Sequence, residues 1–306
     1  MDKLKLWEEQ VNNLRKILDR KLSFVNCRIA SGIDNGELQQ VDDSLWSEMN
    51  NASTWTAQKA PVYLRKKIFL PAEIEGIKIE NSSVDLNFVF PSGVELFING
   101  ESVYSHKYWA DIRATPFPLL KKLKTPEEKL IVFKVAQLDG MRFFSACVTV
   151  SNIENIFFQL NSILYQVRFA FKIAEKKKSL RRYAEEALEI LNPDKIAYRR
   201  WDEAIKDIEK IENILEAFRK HAREFRVHLI GHAHIDMNWL WGYEDTVDVC
   251  LRDFKTVNRL MDKYPGLTFS QSQAQVYRIV EENDRALFNK VRQKIKEGRW
   301  LSLIHI

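Results

Sequence analysis

The chain has 306 residues, 45% of them hydrophobic and 29% charged, with only ten glycines and eight prolines. That balance belongs to regularly folded globular proteins and excludes collagen-like and disordered chains. The net charge of +5 is modest, and the two basic runs, Lys172–Arg182 and Lys121–Lys124, read as solvated helix faces with no nucleic-acid motif beside them, so no nucleic-acid partner is expected.

A chain of this length is expected to hold about two domains. Three cysteines, Cys27, Cys147 and Cys250, are odd in number and far apart. They suit reduced thiols in a cytoplasmic protein rather than a disulfide framework. The opening MDKLKLWEEQ places acidic residues where a secretory leader needs an apolar core. No apolar run is long enough to span a bilayer, so no membrane partner is expected.

Residues 2–20 predict an amphipathic helix, because Leu4, Trp7, Val11, Leu14 and Leu18 recur at helical spacing. That helix is expected to pack on a neighbouring domain. Residues 30–60 are polar and irregular and read as a long connection. From Pro61 to Val150 the period changes to two. Residues 63–70, 84–90, 94–104, 130–135 and 143–150 read as strands, and Asn99-Gly100 marks a hairpin turn, since both turn positions need positive φ. Short antiparallel strands of this kind predict a β-sandwich.

After Ser151 the period becomes helical. Ile156, Phe157, Leu160, Ile163, Leu164, Val167 and Phe171 form one apolar face, and Asn192-Pro193-Asp194 marks a break. A further helix is expected over 198–221. At Arg226 the pattern changes again. Val227–Gly231 reads as a buried strand and 244–264 as a helix with Val247, Leu251, Phe254, Val257, Leu260 and Met261 inward. Residues 267–270 read as a second strand and 274–298 as a second helix. This order predicts parallel βα units. The fold expected is therefore multidomain α+β and α/β, divided as 1–60 (helix and connection), 61–150 (β-sandwich), 151–225 (helical linker region) and 226–306. The last segment holds the first two βα units of an incomplete (β/α) barrel.

The chemistry concentrates in Gly231-His232-Ala233-His234-Ile235-Asp236-Met237-Asn238-Trp239-Leu240-Trp241. If the backbone stays extended past the strand, side chains two apart point the same way, and imidazoles and a carboxylate converge where parallel sheets build their sites. Imidazole and carboxylate suit Zn²⁺, which takes about four donors. The competing reading makes one histidine a strand cap and Asp236 a helix cap, and residue chemistry alone leaves both open. Trp239 and Trp241 offer flat faces for stacking or for the core, with Trp241 assigned to the core. Glu244 and Asp245 suit the start of a helix. Gln271 and Gln273 either line the site or serve structure.

The run 232–241 resembles the opening motif of glycoside hydrolase family 38, the α-mannosidases. The resemblance continues through Arg259–Pro265, Phe269–Tyr277 and Glu297–Trp300, and covers about residues 226–300 in order. The region upstream resembles, more weakly, the N-terminal extension of the cytosolic and bacterial branch. The resemblance implies a Zn²⁺ ion held by His234 and Asp236, with His232 as a neighbour of the pair and Trp239 stacking on mannose. It implies retaining hydrolysis of mannose-containing oligosaccharides, and is compatible with a homo-oligomer of the full-length protein. In the family the Gly-Arg-Trp segment leads to Gly-Gly-Trp and a nucleophilic Asp. Here Leu301–Ile306 carry neither, so the nucleophile is expected beyond Trp300. The chain is read as a truncated fragment, inactive by itself, with no role for His305 as a substitute ligand. Two rival readings accompany this one: a metal-dependent amide or ester hydrolase using His-x-His-x-Asp, and a non-enzymatic carbohydrate-binding module at 61–150.

Overall fold

A computed structural model describes residues 2–24, 26–31, 41–49, 61–90, 93–106, 110–111, 116–136, 145–238 and 242–302. The chain forms two compact units, Met1–Arg223 and Glu224–Ile306. Among the described residues no helix is long and apolar enough to cross a membrane.

The first unit opens with α1 (Asp2–Leu22), which buries Leu4, Trp7, Val11, Leu14, Leu18 and Leu22. These six fall at spacings of three and four, the period that puts them on one stripe. The strands follow as β1 (Cys27–Ser31), β2 (Ser47–Met49), β3 (Val62–Leu70), β4 (Glu73–Ile74), β5 (Ile77–Lys78), β6 (Val84–Phe90), β7 (Val94–Ile98), β8 (Glu101–His106), β9 (Ala110–Asp111), β10 (Phe117–Leu120), β11 (Glu127–Val135) and β12 (Ser145–Val150). Then come the helices α2 (Ser151–Lys176), α3 (Arg181–Ile190), α4 (Pro193–Ala197), α5 (Trp201–Leu215) and α6 (Arg219–Ala222).

The strands build a β-sandwich. One sheet has the order β2-β1-β3-β11-β7-β8, and the other has β10-β6-β12 with β9 also on β6. Alternation along β6 turns Val84, Leu86, Phe88 and Phe90 inward. Phe133 of the opposing sheet meets Phe88 at 5.0 Å and Phe90 at 4.8 Å between ring centroids. The turn joining β7 and β8 is Asn99-Gly100, with φ of 50° and 87°, as the residue pair predicts.

Three expectations change here. The helix α1 packs within its own unit, where the Trp7 indole donates to the Leu160 carbonyl at 2.9 Å. The stretch read as a connection over 30–60 contributes the last two residues of β1, which pair with β3, and all of β2, which pairs with β1. Segments this short and polar form strands because neighbours supply the ladder, so their periodicity is a weak signal. The helix expected over 198–221 begins at Trp201 after Arg199, whose φ is 59°. Helix α1, the sandwich and the helices after it share one hydrophobic core, so the segments 1–60, 61–150 and most of 151–225 pack as one body.

The turn between β4 and β5 fastens these layers together. Glu75 and Gly76 both take positive φ, 50° and 71°. The Glu75 carboxylate accepts from Lys21 of α1 and, at 2.9 Å, from Arg199 at the end of α4. Its carbonyl accepts from the Trp201 indole at 2.9 Å. Lys21 first, then Arg199, holds the Glu75 carboxyl below the usual carboxylate range. A depressed folded-state pKa stabilises at pH above the unfolded value, and that contribution disappears as pH falls through the folded value. Glu75→Gln is therefore expected to cost on the order of 1 kcal/mol at pH 7. The difference from the parent chain should close as pH drops below the ordinary glutamate range. Urea unfolding of both chains across that range measures it, and an unchanging gap would refute the ion-pair account.

The second unit comprises β13 (Gly231–His232), α7 (Tyr243–Lys263), β14 (Phe269–Ser270), α8 (Ala274–Asn283), α9 (Arg285–Lys296) and β15 (Trp300–Leu301). The strands are parallel in the order β13-β14-β15, with Gly231 opposite Phe269 and Phe269 opposite Trp300. Parallel neighbours need helical crossovers, which α7 and the α8–α9 pair supply. Their shared core holds Ile235, Cys250, Phe254, Met261, Phe269, Val276, Ile279, Val280, Leu287, Val291 and Trp300. Burial pushes the Cys250 thiol up to about 11, so it serves as a small apolar residue.

Here too the structure departs from the sequence pattern. Val227–Ile230, expected as a buried strand, is exposed, with Val227 at 78% and Leu229 at 84%. The ladder takes in only Gly231 and His232. Helix α7 buries Phe254 and Met261 as expected, with Val247, Leu251 and Val257 packed partly buried against the same core; Thr246, Cys250 and Asn258 are buried as well, and of the expected face Leu260 alone is exposed. Two polar residues lie on the inner stripe: Thr246 bonds Asn238, and the Asn258 amide donates to the Phe254 carbonyl at 3.0 Å, while the Asn258 side-chain oxygen is buried without a partner among the described residues. The helix expected over 274–298 breaks at Asp284, whose carboxylate accepts from the Leu287 N–H at 2.9 Å and caps α9.

Candidate metal-binding pair

Past β13 the chain stays extended through Ala233, His234, Ile235 and Asp236. Ile235 turns into the core at 2% exposure, and alternation then sends its two neighbours the other way. His234 Nε2 lies 2.9 Å from Asp236 Oδ1, with the side chains 73% and 45% exposed. The two groups expected to converge do so, at the C-terminal end of a parallel strand and open to solvent. A carboxylate only accepts, so His234 Nε2 is the donor of this bond.

His232 does not join them in this bond. Its Nδ1 donates to the Ser270 carbonyl at 2.8 Å. This backbone tie holds His232 at the last position of the β13–β14 ladder. Among the described residues no group of three or more His, Cys, Asp or Glu side chains is placed to hold a metal. Imidazole and carboxylate are donor types that suit Zn²⁺, an ion that takes about four, and the pair comprises two such groups.

The far end of the segment is fixed by a cap. Asn238 takes a φ of 51°. Its N–H donates to Thr246 Oγ1 at 3.1 Å, and that hydroxyl donates back to Asn238 Oδ1 at 3.0 Å. The Gly242 N–H donates to the Asp245 carboxylate at 3.1 Å, which gives Asp245 the helix-starting role expected of it. Trp239, expected as the sugar platform, and Trp241 lie outside the described residues, as does His305.

Gln271 and Gln273 have a structural role more definite than the sequence suggested. Gln271 is fully buried, and its amide donates to the Ala233 carbonyl at 2.8 Å. The Gln273 amide donates to the Ile235 carbonyl at 2.8 Å and accepts from the Ile235 N–H at 3.2 Å. The one sequence signal for this is the Gln-x-Gln alternation at the end of a strand, which periodicity alone cannot tell from a solvent-facing edge.

Residues 224–303 match the family described as glycosyl hydrolases family 38 N-terminal domain. Among curated proteins, the chain is 41% identical over 88 residues to alpha-mannosidase G of Dictyostelium discoideum, a match covering 28% of this chain and 8% of that protein. It is 33% identical over 86 residues to alpha-mannosidase 2C1 of Homo sapiens, again covering 28% of this chain and 8% of that protein. Among solved structures, a glycosyl hydrolase family 2 member from Bacteroides cellulosilyticus is 19% identical and matches 42% of this chain and 20% of its own, at a TM-score of 0.28. A likeness that weak carries no weight for fold or function.

Proposed function

We propose, from the match of residues 224–303 to the glycosyl hydrolases family 38 N-terminal domain, that this chain is an N-terminal portion of an α-mannosidase acting on mannose-containing oligosaccharides. The observation that carries the reading furthest is the convergence of His234 and Asp236 at 2.9 Å beyond a parallel strand. In this reading His234 and Asp236 hold a Zn²⁺ ion, and Trp239 presents its ring to the sugar. Bound zinc supplies a template and Lewis acid for sugar hydroxyls. His232, tied to the Ser270 carbonyl, sets the strand end from which the pair projects. The three parallel strands are the start of a (β/α) barrel, and the exposed edge at Val227–Ile230 is where more of that barrel is seated. The carboxylates that attack the anomeric carbon and protonate the leaving oxygen come from later parts of the full-length protein.

Two of about four donors bind zinc weakly. The 306-residue chain is accordingly expected to take up Zn²⁺ with an affinity that drops at least about tenfold in Asp236→Asn and to leave an aryl α-mannoside intact. The full-length protein is expected to hydrolyse that substrate, to stop when a chelator removes the metal, and to stop in Asp236→Ala. Hydrolysis by the full-length protein that survives both treatments would sink the zinc assignment.

A further inference from the structure

The backbone ladder between β13 and β14 ends at His232 and Ser270, yet the pairing continues through side chains. His232 meets Ser270, Ala233 meets Gln271 and Ile235 meets Gln273, each pair 38 residues apart in sequence. Where the two backbones part, a primary amide bridges the gap. It offers an N–H donor and a carbonyl acceptor side by side, as a stretch of backbone does. Gln273 uses both on one residue, taking the N–H and the carbonyl of Ile235. Ile235 is the residue between His234 and Asp236, so this amide fixes the peptide groups that orient both.

Gln271 supports Gln273 from behind. Its side-chain oxygen accepts from the Gln273 N–H at 3.0 Å. Its own carbonyl accepts from the Tyr277 hydroxyl at 2.7 Å, and Tyr277 in turn accepts from the Trp300 indole at 2.9 Å. The chain of bonds runs from β15 through the core to the segment that bears the pair. Buried networks satisfied in this way hold one geometry, because each broken bond leaves a desolvated group without a partner.

We propose that Gln273, backed by Gln271, is a positioning residue: its side-chain amide stands in for a missing length of strand and sets the approach of His234 to Asp236. The consequence for metal affinity rests on the zinc reading above; the positioning itself does not. Gln273→Met keeps the length and removes both hydrogen bonds, and Gln273→Glu keeps an acceptor for the Ile235 N–H. In the 306-residue chain, amide exchange at Ile235 is expected to speed up at least about tenfold in Gln273→Met and to stay near the parent rate in Gln273→Glu. Exchange at Phe269, whose N–H bonds the Arg299 carbonyl, should not move in either and reports that the unit is folded. Zn²⁺ affinity, measured by competition with a chromophoric chelator, should fall about tenfold in Gln273→Met. Unchanged Ile235 exchange overturns the proposal, and so does lost protection with Zn²⁺ affinity at the parent value. If the parent chain takes up no Zn²⁺, the zinc reading fails, and the imidazole ¹⁵N shift of His234 decides the positioning instead. A shift altered by Gln273→Met supports the proposal, and an unaltered one overturns it.

Discussion

Trp300→Ala is expected to lower the stability of the second unit by about 3–5 kcal/mol. The ring is 1% exposed and meets Phe254 at 4.9 Å and Phe269 at 4.7 Å between centroids. Its indole N–H donates to Tyr277 at 2.9 Å. Removing it strips a large aromatic surface from the core and leaves a cavity between α7 and the sheet. A single domain is stable by only about 5–15 kcal/mol, and a small one sits near the bottom of that range, so this variant should populate an unfolded second unit at room temperature. Trp300→Phe restores most of the volume but not the N–H, and should cost about 1–2 kcal/mol, since the Tyr277 oxygen loses the bond it accepts while keeping the one it donates to the Gln271 carbonyl. Urea unfolding followed by amide exchange at Val276 and Ile279 measures both. A loss below about 1 kcal/mol for the alanine variant would mean the core closes over the gap, contrary to the close packing inferred here.

Phe133→Ala is the corresponding test of the first unit, with an expected loss of about 3–5 kcal/mol. Phe133 is fully buried and touches three other rings: Phe24 at 5.6 Å, Phe88 at 5.0 Å and Phe90 at 4.8 Å. Two of these belong to the opposing sheet, so the substitution removes the contact that joins the layers of the sandwich. Phe69 provides the control. It lies on β3 of the same large sheet but is 61% exposed, and Phe69→Ala should change stability by no more than about 0.5 kcal/mol. Far-UV circular dichroism in urea distinguishes the two. Equal effects at both positions would show that burial does not govern the energetics of this sheet.

Local rules accounted for what they govern locally. Leu4, Trp7, Val11, Leu14 and Leu18 mark α1 because a five-member stripe at period 3.6 leaves little else for those residues to form. Asn99-Gly100 marks its hairpin because few residue pairs accept positive φ twice. His234 and Asp236 converge because Ile235 between them is apolar and must face the core. Each of these rests on contacts or torsions within a few residues.

Other features depended on partners far along the chain. β1 and β2 exist as strands because β3 offers a ladder to β1. Val227–Ile230 reads as a buried strand by composition, yet its exposure depends on whether neighbouring strands cover it, which the run itself does not encode. Helix α7 carries apolar residues on a broad arc. Its inner stripe also takes in Thr246, which bonds Asn238, and Asn258, whose amide N–H donates to the Phe254 carbonyl while its side-chain oxygen stays without a partner among the described residues.

By itself, then, the sequence determined the period of α1, the hairpin turn chemistry and the convergence of His234 with Asp236, since those follow from side-chain alternation and backbone torsion. Only the tertiary structure decided that Gln271 and Gln273 replace a strand beneath that pair. A glutamine's amide bonds equally well to water or to a peptide, and the choice is made by whichever backbone lies within 3 Å or so when the sheet has formed.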